Sequence, residues 1–188
     1  MQELATHVHT AVLVEGDSDR LAVEALARRH GRQLDTEGVA VVSIGGATNA
    51  GHAVQRFGPT GRGLRLAALC DIAEVRHFAR AHEPWRAAVA AGEPAAGGLF
   101  VCDADLEDEL IRAIGTEAMV TFVEAQGEGQ AFDTFQRQPY QRGRPLDAQL
   151  RRFVGTRSGR KIRYGAALVE ATPLAAIPVP LRELLAAI

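Results

Sequence analysis

Four short apolar runs, each bounded by polar or turn-forming residues, divide the first half of the chain. They occupy positions 10–14, 39–44, 64–70 and 98–102. Each run is nearly continuous in Val, Leu, Ile and Ala instead of alternating with polar residues, a pattern typical of strands that are covered on both faces of a parallel sheet. We therefore predict four strands of one mainly parallel sheet.

Helical patterns fill the intervals between these runs. The clearest spans 19–30, where Ser18 is positioned to cap the helix, apolar residues recur along it, and Gly31 follows its end. Further helices are predicted after Asn49, near 73–81 and near 106–114. This alternation of strand and helix predicts a doubly wound, Rossmann-like α/β fold with helices on both faces of the sheet.

The second half of the chain has a weaker pattern. A helical stretch at 116–126 gives way to polar, turn-like composition, and two more helices are predicted at about 160–170 and at the C-terminal end. The stretch 87–98 is rich in Ala, Gly and Pro and is interpreted as a mobile connection. We therefore expect a helical extension that follows the sheet.

The length and composition are those of a globular protein. The 188 residues are 47% hydrophobic, which is enough to bury a sizeable core. No apolar run approaches the roughly 20 residues that span a bilayer, and the first residues lack a signal-peptide pattern, so we expect a cytoplasmic protein without a membrane partner. We expect one domain over 1–188, with its core at about 8–115 and a helical, basic part at about 116–188.

Charge is unevenly distributed along the chain. The net charge is only −2, but positions 137–163 contain nine basic residues and one acidic residue, a net charge of +8, so the remainder carries −10. An acidic pocket beside a basic surface suits a metal site that receives a phosphate polymer. Solvated helix faces are the alternative explanation for the individual charges.

Carboxylates follow three of the predicted strands. Glu15 follows the first strand, Asp71 the third, and Asp103, Asp105 and Glu107 lie beyond the fourth. Ligands of open parallel sheets bind outside the carboxyl ends of the strands, so these side chains are expected at one edge. Carboxylate oxygens are the ligands that Mg²⁺ and Mn²⁺ prefer. Asp17 and Asp108, by contrast, are explained equally well as helix-capping or first-turn residues.

The sequence lacks the motifs of two other kinds of phosphate-binding site. The sequence contains no G-x-x-x-x-G-K-[ST] for a P-loop, and no G-x-G-x-x-G follows the first strand. The pair Gly45-Gly46 either lets the backbone approach a phosphate or forms a plain tight turn. ATP hydrolysis by a P-loop is therefore not supported.

Five sequence blocks resemble one known family. They are VEGDSD at 14–19, SIGGATN at 43–49, DLEDEL at 105–110, GRKIRYGAALVEA at 159–171 and IPVPLRELL at 177–185. In this order they resemble the TOPRIM module of the OLD (overcoming lysogenisation defect) family nucleases over nearly the whole chain. The TOPRIM domain is also found in topoisomerases and bacterial primases.

The resemblance implies a magnesium- or manganese-dependent phosphodiesterase that acts on DNA as an endonuclease or nickase. The implied metal ligands are Glu15, Asp19, Asp71, Asp105 and Glu107. Glu15 and Lys161 are the implied catalytic residues, and Lys161 is the only lysine in the chain. Its compact ammonium suits a place beside a scissile phosphate better than a planar guanidinium does. Contacts to phosphate or DNA are expected from Gly45, Gly46, Arg151, Arg152 and Arg160.

Two departures from the family pattern leave alternatives open. The second motif is commonly Asp-x-Asp, but here it reads Asp71-Ile72-Ala73, and Glu74, at the start of a helix, is expected to point elsewhere. The family's ATPase domain does not occur in these residues, so any energy coupling either comes from a separately encoded ATPase partner or does not exist. A catalytically weak TOPRIM module that binds nucleic acid or such an ATPase is the main alternative. The basic segment disfavours a third possibility, a small-molecule phosphotransferase.

Overall fold

A four-stranded parallel sheet forms the centre of the chain. The computed structural model describes residues 4–156 and 158–188. Its strands are β1 (Thr10–Val14), β2 (Val39–Ser43), β3 (Arg65–Asp71) and β4 (Leu99–Cys102). They lie in the order β2-β1-β3-β4, and all three neighbouring pairs are parallel. The predicted sheet is confirmed, with each strand within one residue of its apolar run.

The register of the strands brings their carboxyl ends to one edge. Val14, the last residue of β1, lies opposite Ser43 of β2 and Leu69 of β3. Asp71, at the end of β3, lies opposite Cys102, at the end of β4. Residues that follow β1, β3 and β4 in sequence therefore start from neighbouring points of the same edge.

Ten helices surround the sheet or follow it within the described residues. They are α1 (Asp17–Arg29), α2 (Ala50–Phe57), α3 (Val75–Ala81), α4 (Glu83–Ala90), α5 (Leu106–Ile114), α6 (Thr116–Ala125), α7 (Gly129–Gln136), α8 (Leu146–Gly155), α9 (Ser158–Ala171) and α10 (Val179–Ala187). None of them is long and apolar enough to cross a bilayer. The helical C-terminal extension is thus present as expected.

Three of these helices were not predicted. Residues 87–90 belong to α4, and a short 3₁₀ helix, Pro94–Gly97, follows, so the stretch 87–98, interpreted as a mobile connection, is partly helical. Trp85, which is fully buried, anchors α4. The helices α7 and α8 were also missed. The helix α7 has only two large apolar residues, Phe132 and Phe135, and both pack against Phe153 of α8.

Two apolar cores cover the two faces of the sheet. Val12 and Val14 of β1 point into a core with α1 and the helices α5 to α10. Ala11 and Leu13 point into a second core with α2, α3 and α4. The alternation of neighbouring residues between the two cores follows from the period-two geometry of a strand, and it explains why the apolar runs are continuous.

Three arginines fasten the C-terminal helices to the sheet and α1. Arg29 donates to the carbonyl oxygens of Val169 and Thr172, each at 2.6 Å, beside the end of α9. Arg32 donates to the carbonyl oxygens of Leu185 and Ile188 at 2.6 and 2.8 Å. Arg65 donates to the Ala187 oxygen at 2.9 Å. Guanidinium groups thus satisfy carbonyls that a helix end leaves without intrahelical partners.

Glu128 forms a second fastening point, between α7 and α9. Its carboxylate accepts hydrogen bonds from Arg160 Nε and the Tyr164 hydroxyl, each at 2.6 Å, and from Arg163 at 2.8 Å. Arg160 also stacks on the ring of Phe153, with its guanidinium carbon 3.8 Å from the ring centre. Burial alone would raise the pKa of Glu128, but the hydrogen bonds from its three partners lower it to about 2.

Replacing Glu128 by Gln is expected to destabilise the fold by roughly 3 kcal/mol, because the buried guanidinium of Arg160 loses its counter-ion. The folded pKa of Glu128 lies below its ordinary value of 4.5, so its contribution is present above about pH 4.5 and is lost as the pH falls toward about 2. Urea unfolding from neutral to acid pH measures both effects. Glu124→Gln, at an exposed position of α6, is the matched control. A difference between wild type and Glu128→Gln that stays constant below pH 4.5 contradicts this role.

Candidate metal centre

Glu15 links the ends of the two central strands. It directly follows β1, and its Oε1 accepts a hydrogen bond from the backbone N–H of Asp71 at 3.0 Å. The pKa of Glu15 is raised, mainly because the carboxyl group is partly buried. Glu15 therefore stands at the carboxyl edge of the sheet, as the sequence predicts.

Asp19 lies in the first turn of α1, where its carboxylate serves the helix end. Its Oδ2 accepts a hydrogen bond from the N–H of Gly16, the N-cap residue, at 2.9 Å. Burial, and then the charge of Glu107, raise the pKa of Asp19 to about 7. Asp19 thus has both a capping function and a place among the strand-end acids.

Asp105 and Glu107 come from the start of α5. Asp105 is the N-cap of this helix, and its Oδ1 accepts from the Asp108 N–H at 2.7 Å. Glu107 is buried, and its Oε1 accepts from the Ser18 hydroxyl at 3.0 Å. The start of α5 therefore meets the start of α1 at the sheet edge.

The carboxyl group of Asp71 is affected by the charges of all the other predicted ligands. Burial, and then the charges of four carboxylates, together raise its pKa to about 8. These four are Glu15, Asp19, Asp105 and Glu107. We call them, together with Asp71, the acidic cluster. The structure brings the five predicted ligands into one electrostatic neighbourhood, and their function as ligands stays a prediction.

Lys161 of α9 is the cation that faces the acidic cluster. Its Nζ lies 3.0 Å from Glu107 Oε2 and 4.0 Å from Asp105 Oδ2. Burial lowers the pKa of Lys161, but the charge of Glu107 and the hydrogen bond to it outweigh this effect, so the pKa is raised overall. The side chain is half-buried and remains an ammonium, which offsets part of the negative charge.

A glycine allows α9 to approach close enough for this contact. A Cβ on Gly165 would lie 2.6 Å from the carbonyl oxygen of Ser18 and 3.2 Å from its carbonyl carbon, so only glycine fits at this crossing with α1. Lys161 is one turn earlier on α9 and lies on the same side of the helix. Gly165 therefore sets the distance at which Lys161 meets Glu107.

Ser18 does not have its predicted function as a helix cap. Ser18 was predicted to cap α1, but the helix begins at Asp17 with Gly16 as its N-cap, and the Ser18 hydroxyl instead donates to Glu107. The two residues are 89 positions apart, so no local pattern could reveal their contact.

Glu74 is nearer to the cluster than the sequence suggests. Its side chain was expected to point away, leaving Ala73 without a substitute. After burial, the main cause that raises the pKa of Glu15 is the charge of Glu74, which acts more strongly than that of Glu107. Glu74 Oε2 also lies 3.5 Å from His77 Nε2. A carboxylate next to the altered second motif is therefore available.

The donor chemistry of the cluster fits a hard divalent cation. Its members offer only carboxylate oxygens, and the pKa values of Asp19 and Asp71 are raised first by burial and then by neighbouring negative charges, which a cation would offset. Within residues 4–156 and 158–188, no three His, Cys, Asp or Glu side chains already have the spacing of a metal site. Lys161 occupies part of the space between Glu107 and Asp105 instead, so metal binding would require these side chains to move.

Gly45 and Gly46 form the turn beside Glu15. Both have positive φ, at 72° and 111°, which other residues rarely adopt. The Gly46 N–H donates to the Glu15 carbonyl oxygen at 2.9 Å, and Asn49 Nδ2 donates to the carbonyl oxygens of Ile44 and Gly45 at 2.9 and 3.1 Å. Turn geometry accounts for both glycines, and their contact with phosphate stays a prediction.

The arginines predicted to contact DNA differ in their surroundings. Arg160 is only 4% exposed and donates to Glu128 and to the Phe153 carbonyl oxygen, so its predicted contact with DNA is wrong. Arg151 pairs with Asp108 at 2.8 Å and remains partly exposed. Arg152 is exposed, and Arg157 lies outside the described residues.

The N-terminal part of the sheet is similar to a known family. Residues 8–72 match the family model of the overcoming lysogenization defect protein-like TOPRIM domain. This part of the chain is therefore similar to an OLD-like TOPRIM domain. The match covers β1, β2, β3 and the residues Glu15, Asp19 and Asp71, and it confirms the resemblance drawn from the sequence.

The fold of this chain resembles solved structures of OLD protein C-terminal regions over nearly its whole length. The C-terminal region of the Burkholderia pseudomallei OLD protein is 22% identical, with 96% of each chain covered and a TM-score of 0.66. A structure of the C-terminal region of the Xanthomonas campestris pv. campestris OLD protein is 24% identical, covers 95% of this chain and 91% of that one, and has a TM-score of 0.67. A search of curated proteins found no significant match. The OLD C-terminal fold thus extends through the helices that follow the sheet.

Gly165→Ala is expected to push α9 away from α1 and to destabilise the fold by roughly 1–3 kcal/mol, because the added methyl group would overlap the backbone of Ser18. Urea unfolding measures the loss. Gly159→Ala on the same helix, where a Cβ has open space, is the matched control and is expected to be neutral or stabilising. Equal stability of the two variants would show that the close approach has no structural importance.

Proposed function

We propose that this chain is a metal-dependent nuclease of the TOPRIM/OLD type that hydrolyses DNA phosphodiester bonds with one or two Mg²⁺ or Mn²⁺ ions. The observation that carries the proposal is the acidic cluster at the carboxyl edge of the sheet, with Lys161 directly beside it. TOPRIM domains generally bind divalent metals, which agrees with the oxygen-only donor set. Cytoplasmic DNA would be the substrate.

The acidic cluster would hold the metal, with Glu15, Asp19 and Asp71 as its central ligands. A bound divalent cation supplies Lewis acidity at the phosphoryl group and neutralises the surrounding carboxylates. The hydrogen bonds from Asp71 N–H to Glu15 and from Gly16 N–H to Asp19 fix the orientation of both carboxylates before any ligand arrives. Because both carboxylates are already oriented, less side-chain entropy would be lost when a metal ion binds.

Lys161 and Glu15 would act on the reacting atoms. Water attacks phosphorus, the bond from phosphorus to one ester oxygen breaks, and the products are a phosphate monoester and an alcohol. Glu15 would take a proton from the attacking water, and a proton from solvent would be transferred to the leaving oxygen. The Lys161 ammonium would stabilise the negative charge that develops on the phosphoryl or leaving oxygens.

The helical part beyond the sheet would contact the DNA backbone. Arg152 is exposed on α8, and Arg151 on the same helix keeps part of its guanidinium accessible. Phosphate contacts of this kind supply affinity without reading sequence. Gly45 and Gly46, beside Glu15, would let a phosphate approach the sheet edge closely.

The binding-module alternative is favoured by one observation, the methyl group of Ala73 in place of a carboxylate. In that case the chain would bind nucleic acid, or a separately encoded ATPase, without cutting. Glu74, whose charge acts on Glu15, is the residue through which a second metal could still be held. A cleavage assay on supercoiled and linear DNA with Mg²⁺ or Mn²⁺ separates the two functions.

Saturating Mn²⁺ is expected to raise the melting temperature by about 5–10 °C, since a ligand at roughly 100 times its Kd stabilises by about 2.7 kcal/mol. The shift follows from relief of repulsion within the acidic cluster. Glu15→Ala is expected to abolish most of it, whereas Glu124→Ala on exposed α6 is expected to keep it. Differential scanning calorimetry with Mn²⁺ and with EDTA gives the answer. An equal shift in all three proteins would place the metal elsewhere.

Lys161→Ala is expected to lower the rate of DNA cleavage ~10²-fold or more with little change in DNA affinity, because a group that acts on the transition state affects rate rather than binding. Arg152→Gln is expected to do the opposite: it weakens binding and reduces the logarithmic salt slope by ~0.9 for one lost phosphate contact. Single-turnover cleavage and salt-dependent anisotropy measure the two effects. If Lys161→Ala cleaves DNA at the wild-type rate, Lys161 has no function in the mechanism. If the wild-type protein binds DNA but does not cleave it, the binding-module function is favoured.

A further inference from the structure

Tyr140 is a large aromatic residue with an unusually exposed position. It lies in the connection between α7 and α8, and 82% of its surface is accessible, more than for any other exposed large apolar residue in residues 4–156 and 158–188. The other tyrosine, Tyr164, is fully buried. The ring of Tyr140 therefore contributes almost nothing to the core, and the fold alone gives no reason for it.

The connection that carries Tyr140 is held in place by α8. Gln149 is buried, and its Nε2 donates to the carbonyl oxygens of Gln141 and Arg144 at 2.9 and 3.0 Å. Its Oε1 accepts from Gln136 Nε2 at 2.7 Å. Gln141, the residue after Tyr140, is itself buried. These bonds hold the backbone after Tyr140 and link it through Gln149 to the side chain of Gln136 at the end of α7, so the ring is carried by an ordered support.

Three arginines surround the ring in sequence, and no acid accompanies them. Arg137, Arg142 and Arg144 are all exposed, and residues 134–146 contain no Asp or Glu. Arg142 Nε donates to the Arg137 carbonyl oxygen at 3.3 Å, and Arg144 Nε donates to the Tyr140 carbonyl oxygen at 2.9 Å. Among the described residues, the terminal guanidinium nitrogens of these arginines have no protein partner. They are therefore available for phosphate.

We propose that the connection between α7 and α8 is a stacking platform for an unpaired base of single-stranded nucleic acid. An exposed aromatic ring stacks on any base whose face is free, while arginines beside it bind the neighbouring phosphates. Base pairs inside a duplex hide their faces, so a duplex would contact the arginines but not the ring. The inference rests on the proposed action on DNA, to which it adds a preference for substrates with unpaired nucleotides.

A phosphate polymer fits this surface better than a protein does. The segment 134–146 carries three positive charges and no negative charge, so a protein partner would need a matching acidic patch with an apolar contact for one isolated ring. A single strand offers a negative charge and a π-face with every nucleotide. If the ligand is a nucleic acid, replacing Tyr140 by Ala weakens nucleic-acid binding. If the ligand is a protein, the same replacement leaves nucleic-acid affinity unchanged.

The test compares Tyr140→Ala with Tyr140→Phe by fluorescence anisotropy in EDTA, which removes the metal that cleavage requires. The probes are a labelled oligothymidylate and a long linear duplex. Tyr140→Ala is expected to weaken binding to the single strand about 10-fold or more, because one stacked base is lost, whereas Tyr140→Phe keeps the ring and the affinity. Binding of the duplex should change little in either variant. The salt slope of Tyr140→Ala should equal that of wild type, since no charge is removed.

Melting temperatures check that Tyr140→Ala remains folded, which its exposure leads us to expect. An unchanged affinity of Tyr140→Ala for the oligothymidylate overturns the inference and leaves the ring for a protein contact, while the proposed nuclease function stands. Equal weakening of Tyr140→Ala and Tyr140→Phe also overturns it, because stacking needs only the ring. Wild-type protein that binds neither probe removes the inference together with the proposed action on DNA.

Discussion

Repulsion among the carboxylates at the carboxyl edge of the sheet is the constraint around which the rest of the structure is arranged. Burial and the charges of neighbouring carboxylates raise the pKa of Glu15, Asp19 and Asp71, which opposes folding at neutral pH. Backbone N–H groups, the hydroxyl of Ser18 and the ammonium of Lys161 each bind one of these carboxylates. Clustering these carboxylates costs stability. The hydrogen bonds from these backbone and side-chain donors offset part of that cost.

Helix α9 brings the only cation that contacts the acidic cluster within the described residues, and its placement depends on contacts distributed along its length. Glu128 holds its first turns, Gly165 allows its middle to touch the backbone of α1, and Arg29 binds carbonyls at its end. Loss of any one of these would move Lys161 relative to Glu107. The basic residues of the C-terminal part thus serve packing at least as much as they serve an external ligand, as the buried position of Arg160 illustrates.

The parts of the fold and site that were predictable are those encoded by local patterns. Continuous apolar runs defined all four strands, and the acids that follow the first and third runs located Glu15 and Asp71 at one edge. The contact between Ser18 and Glu107 could not be found this way, because it depends on how two helices meet. The inward direction of Arg160 was hidden for the same reason, since a basic run looks alike whether its side chains face solvent or a buried glutamate. Helix α7 was missed because its two phenylalanines are stabilised by a partner helix rather than by a long apolar stripe of their own.

The dependence on α9 has a consequence for the order in which the molecule can be made. Lys161 meets its partner Glu107 across 54 positions, and Arg29 meets the end of α9 across 140. A ribosome therefore releases every member of the acidic cluster well before the helix that neutralises it, and contacts of such long sequence separation form slowly. During that interval the nascent chain carries its negative edge without its lysine. The centre is therefore complete only after α9 has been synthesised.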